Sequence, residues 1–119
     1  MTTKKTERPQ KTTRTIASNR KAFFDYEILD RYEAGLVLTG TEIKSIRAGK
    51  IDLRDAYARP QNGELWLMNA HIAPYDAGSI YNHDPRRPRK LLMHREEIAK
   101  LKSIVAEKGV TIVALSVFI

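Results

Sequence analysis

Pro85 and Pro88 bracket Arg86 and Arg87 in the stretch DPRRPRKLLM, and they decide what that stretch cannot be. A proline ring fixes φ and pushes the residue before it towards extended geometry, so the segment is excluded from a helix. Arg86, Arg87, Arg89 and Lys90 place four cations within five residues of it. Leu91 and Leu92 then return the chain to an apolar body. The segment reads as a stiff extended arm of positive charge, suited to a polyanion rather than to a single carboxylate.

Charge elsewhere is distributed in a way that supports this. The 119-residue chain carries a formal net charge of +7. Residues 1–21 hold 7 basic and 1 acidic side chains, whereas residues 22–84 hold 6 basic and 10 acidic ones. The excess therefore lies in the N-terminal stretch and the proline-bracketed arm, around an acidic body. Localised positive charge marks a docking surface for phosphate, because Lys and Arg displace counterions condensed on nucleic acid. A solvated loop beside a disordered tail would give the same count.

Length and composition set the remaining bounds. The chain suffices for one small domain with one core. Cysteine is absent, so no disulfide framework or thiolate metal site is available, in keeping with a cytoplasmic location. No apolar run approaches the roughly 20 residues that span a bilayer, so no membrane partner is expected. Residues 1–18 read as a disordered basic arm, and residues 19–119 as the folded domain.

Within that domain, Phe23 to Tyr32 alternates in polarity like a half-buried strand, and Leu36 to Leu38 resumes the sheet after a turn at Glu33-Ala34-Gly35. Thr39 and Glu42 have capping-box spacing, and Gly49 sits where a short helix, Glu42 to Ala48, would stop. Asn62-Gly63 favours a tight hairpin between strands at Ala56–Pro60 and Glu64–Ile72. Ile98, Leu101, Ile104 and Val105 mark a second amphipathic helix, ended by Gly109. Val110 to Ile119 reads as one apolar strand. Its last residues would leave an apolar edge that invites pairing, so either the strand is central and covered or the chain is a truncated form of a longer sequence, and truncation is the favoured reading. The fold class is mainly β: a small antiparallel barrel of oligonucleotide-binding type with two or three flanking helices.

Catalytic signals are weak. No nucleophile elbow, phosphate-cradling glycine loop or metal-ligand motif is present, and His71, His83 and His94 lack metal spacing. No enzyme activity, cofactor, metal or small-molecule substrate is expected. Trp66 alternates with Leu65 and Leu67, which points to core packing or a half-exposed platform; no base-stacking role is assigned to it. Tyr26, Tyr75 and Tyr81 are candidates for stacking on unpaired bases.

The motifs NRKAFFDYEI, EAGLVLTGTEIKSIRAGK, NGELWLMNAHIAPY and DPRRPRKLL occur in this order with short connections. As an ordered set they resemble the small protein B family, the SsrA-binding proteins. The resemblance runs from about Ala17 to the C-terminus and implies a barrel of the type just described. It also implies binding to the tRNA-like domain of transfer-messenger RNA, and delivery of that RNA to stalled ribosomes in trans-translation. The expected partners are that RNA and the stalled ribosome, with the protein acting as a monomer. The family's last strands and basic tail are missing from this chain, so trans-translation activity is expected to fail even where RNA binding is kept. The competing readings are a general structured-RNA or ribosome-binding barrel without that specificity, and a protein adaptor.

The resemblance carries over to particular positions. Asn19 matches an RNA-binding position, with Arg20 and Lys21 beside it able to reach phosphates; capping of the local backbone is the alternative. Glu33 matches another, where a carboxylate accepts from base amino groups or 2′-hydroxyls; the alternative is an ordinary turn acid. Leu92 matches a third, and is read mainly as a core anchor that positions Arg87 and Lys90. Lys44 is a candidate phosphate contact, although a surface Glu42–Lys44 pair explains part of that pattern.

Overall fold

Asn62 and Gly63 adopt φ of 53° and 76°, the two positive values that a type I′ hairpin turn requires. In the computed structural model, which describes residues 14–75 and 82–119, this turn organises the main sheet. The elements begin with β1 (Thr15–Ser18), α1 (Arg20–Asp25), β2 (Gly35–Leu36), α2 (Gly40–Arg47) and β3 (Ile51–Asp52). They continue with β4 (Tyr57–Gln61), β5 (Glu64–Met68), β6 (His71–Ile72) and β7 (Arg89–Leu92). The last are α3 (Arg95–Lys108), β8 (Ile112–Val113) and β9 (Ser116–Phe118).

Five strands form an antiparallel sheet in the order β2-β7-β5-β4-β8, and two-stranded sheets β1-β9 and β3-β6 continue its curl into a half-barrel. β4, β5 and β7 alternate between core and outer face. Leu65 and Leu67 of β5, Leu91 of β7 and Ala58 of β4 face the core, where Ile46 of α2 and Ile98 and Leu101 of α3 join them. Leu65 and Leu67 are fully enclosed, each worth about 2–3 kcal/mol of apolar burial.

Two expected strands are broken. The one expected over Glu64–Ile72 stops at Asn69, whose φ of 61° lies in the left-handed region. The chain turns there, so β6 pairs with β3 instead of extending β5. The strand expected over Val110–Ile119 is likewise two pieces: β8 pairs with β4, and β9 pairs with β1 after Ala114 and Leu115 turn the corner. Both buried residues hold that corner in the core. An apolar run signals burial but not a single direction, which is why the corner escaped the sequence pattern.

The strand expected from Phe23 to Tyr32 is not formed. Residues 20–25 are helix α1, which buries Ala22 and turns Phe24 outward at 89% exposure. Thr15–Ser18, expected to belong to the disordered basic arm, is instead β1, paired with β9. Residues before 14, and Tyr81, lie outside the described residues. α2 and α3 match expectation more closely. The Thr39–Glu42 capping box is formed, and Gly109 caps α3 with a φ of 63°.

Candidate nucleic-acid interface

The arginine-rich stretch is not an extended arm. A turn at Pro85–Arg86 brings the Arg87 N–H to the Asp84 carbonyl at 3.2 Å, and the second half of the stretch is β7 in the middle of the sheet. Strand alternation then sends Arg89 and Leu91 inward and Lys90 and Leu92 outward.

Arg89 is completely buried, a correction to its expected role as a direct RNA contact. Its Nε donates to Glu42 Oε2 at 2.5 Å, its Nη1 to the Ala70 carbonyl at 2.8 Å, and its Nη2 to the Asp84 and Pro85 carbonyls. Arg87, half-buried, donates from Nη2 to Glu42 Oε1 at 2.5 Å. One carboxylate thus holds two guanidinium groups. Glu42 is itself fully buried, so the expected surface pair with Lys44 is replaced by this interior triad. Burial pushes the Glu42 carboxyl pKa up, but hydrogen bonds from Arg87, the Thr39 N–H and Arg89 outweigh that and lower it from 4.5 to about 2. Burial lowers the Arg89 pKa, and its bond to Glu42 opposes the shift.

Asn19 is also interior, at 3% exposure. Its Nδ2 donates to the Leu53 carbonyl at 2.8 Å and the Ala114 carbonyl at 2.9 Å, and its Oδ1 accepts from the Ala22 N–H. The amide is thus a cap on α1 that ties three segments together, the alternative given for it, and not an exposed group. Leu92 is corrected in the opposite sense. It is 52% exposed, and Leu91 is the core anchor. Opposite Leu92 in register is Gly35, where an added Cβ would lie 3.3 Å from the Leu92 Cβ.

The other candidates are exposed. Arg20 and Lys21 lie on α1, with Lys21 Nζ 3.9 Å from Asp55. Glu33 stands just before β2, on the rim of a groove it shares with Arg47 of α2. Lys44 lies over the Tyr75 ring, 5.3 Å from its centroid. Lys90 pairs with Glu64 at 2.5 Å, with both side chains near 40% exposed. The sheet therefore gathers Lys90, Leu92 and the edge beside Glu33, whereas Arg20 and Lys21 flank its far side and Lys44 belongs to another surface.

Sequence reasoning missed two residues of this face. The register pairs Arg59 with Trp66 and Trp66 with Lys90, so the three lie in one row across β4, β5 and β7. Trp66 faces away from the core that takes Leu65 and Leu67. The signal was available: a two-residue turn at Asn62-Gly63 fixes Gln61 opposite Glu64, and hence Arg59 opposite Trp66.

A curled antiparallel half-barrel flanked by three helices, with cations and apolar side chains interleaved on its outer face, defines a small barrel protein of oligonucleotide-binding type. The model of the SmpB protein family matches residues 16–119, and the chain belongs to that family. An SsrA-binding protein from Carboxydothermus hydrogenoformans is 58% identical over 103 residues, covering 87% of this chain and 69% of that protein. One from Gloeothece citriformis is 60% identical over 107 residues, covering 89% of this chain and 69% of its own length. A chain from a solved structure described as "tmRNA-SmpB: a journey to the center of the bacterial ribosome" superposes with a TM-score of 0.69 at 54% identity. That match covers 84% of this chain and 70% of the other.

Proposed function

We propose that this protein binds the tRNA-like domain of transfer-messenger RNA and accompanies that RNA to stalled ribosomes in trans-translation. The observation that carries the reading is family membership at close to 60% identity, joined to an outer sheet face that exposes Lys90 and Leu92 beside Glu33. Lys90, Arg20, Lys21 and Lys44 supply phosphate contacts, which give affinity without sequence preference. Glu33 accepts hydrogen bonds from base amino groups or 2′-hydroxyls, and Leu92 meets an unstacked base or ribose. Arg87 and Arg89 serve at one remove: with Glu42 they fix β7 against α2 and thereby aim Lys90 and Leu92 outward. The protein acts in this reading as a binding partner rather than a catalyst.

The test is a gel shift of the chain with the tRNA-like domain at physiological salt under excess competitor tRNA. The expected result is a shift that survives competition. Glu33→Ala is expected to let competitor tRNA displace the complex while leaving the urea midpoint unchanged. A shift abolished by competitor in the parent chain would replace the reading with a general structured-RNA binder.

A further inference from the structure

The outer face of the five-stranded sheet holds a row that neither the charge map nor the family motifs singled out. Arg59, Trp66 and Lys90 are cross-strand neighbours in register. With strands about 4.8 Å apart, the two cations stand about 10 Å from each other with the indole between them. α3 lies on the opposite side of the sheet, where Ile98 and Leu101 join the core. Arg59 is exposed, and its side chain makes no hydrogen bond or ion pair with another described residue. Among the described residues the Lys90 side chain has only the half-exposed pair with Glu64, an interaction of a kind that a phosphate readily displaces. Leu92 and Glu64 occupy the next row on the same face. At the β8 side, Tyr57 and Val113 lead into a cleft of about 390 Å³ shared with Lys21 and Arg54.

We propose that this face is a nucleotide-stacking platform, in which Trp66 offers its ring to an unpaired base while Arg59 and Lys90 hold the phosphates on either side. The inference rests on the RNA-binding reading above and extends it to Arg59 and Trp66, which that reading does not use. The occupant is RNA because the indole is flanked by cations on both neighbouring strands. An aromatic surface meant for another protein's core is not ordinarily bracketed by charge. Every base has a π-face, so the platform contributes affinity with little sequence preference. Selectivity is left to Glu33.

Trp66 is the single tryptophan of the chain, so its emission reports on this face alone. The experiment titrates the full chain with the tRNA-like domain of transfer-messenger RNA and follows gel shift and tryptophan emission in parallel. Quenching is expected to saturate at the same RNA concentration as the shift. Trp66→Leu is expected to weaken binding about tenfold, with Trp66→Phe recovering most of the loss. Arg59→Ala is expected to reduce the slope of log affinity against log salt by about 1. Urea midpoints of the variants separate lost contact from lost fold. A normal shift with unchanged emission and unaffected variants overturns the platform and leaves the RNA reading standing. Absence of any shift overturns both. An emission change with RNA-free ribosomal proteins, and none with the RNA, overturns the platform in favour of a protein occupant.

Discussion

Glu42 shows how much of a residue's role is local and how much is not. Its capping-box partner is three positions away, and the sequence pattern found it. Its two guanidinium partners are 45 and 47 positions away, so nothing nearby announced that the carboxylate is interior. The consequence is a pH dependence with a definite sign. The carboxyl titrates near 2 in the folded chain, against an ordinary value of 4.5, so its stabilisation is complete above pH 4.5. It is lost as pH falls through 2, and amounts to about 3 kcal/mol. Glu42→Gln leaves two arginines without their carboxylate and is expected to cost about 3–5 kcal/mol at pH 7. Urea unfolding at a series of pH values should show the gap between variant and parent closing towards pH 2. Asn19 makes the same point: the NRKA motif signals a cap, but its ties to Leu53 and Ala114 are set by topology.

Whether an element was legible depended on what ends it. α2, α3 and the β4–β5 hairpin have terminators that work through backbone geometry: a capping box, a left-handed Gly109 and an Asn-Gly turn. All were readable. β5 and the β8–β9 corner end instead at residues whose role is tertiary. Asn69 is an ordinary polar residue in sequence, yet its positive φ separates two sheets, and its carbonyl accepts from Arg86 Nη1 at 3.2 Å. Asn69→Gly is therefore expected to leave the urea midpoint nearly unchanged. Asn69→Val, branched at Cβ in a left-handed conformation, is expected to lose about 1–2 kcal/mol. α1 was misread because exposed Phe23 and Phe24 imitate a strand's buried face.

At the scale of the molecule, the charge map counted as free two cations that the fold commits to an interior carboxylate. Arg87 and Arg89 are committed to Glu42, and the remaining candidate cations are dispersed over α1, α2 and the outer sheet. Binding should therefore depend on several single contacts rather than on one arm. Replacing Arg20, Lys44 or Lys90 by Ala is expected to lower the salt slope by about 1 each where the side chain meets phosphate. Charge reversal at Arg89 should instead unfold the chain, and circular dichroism distinguishes the two outcomes. The interior triad could not be forecast from charge counts, which register a cation but not the direction in which strand alternation points it.

The Asn19 cap has a further consequence, in time rather than in space. One of its acceptors, the Ala114 carbonyl, lies 95 residues downstream, and among the described residues β1 beside it pairs only with β9. At translation rates of about 5–20 residues per second, the start of this domain waits about 5–20 s for the partner that completes it. Of the described strands, the first to be synthesised is thus among the last to be paired.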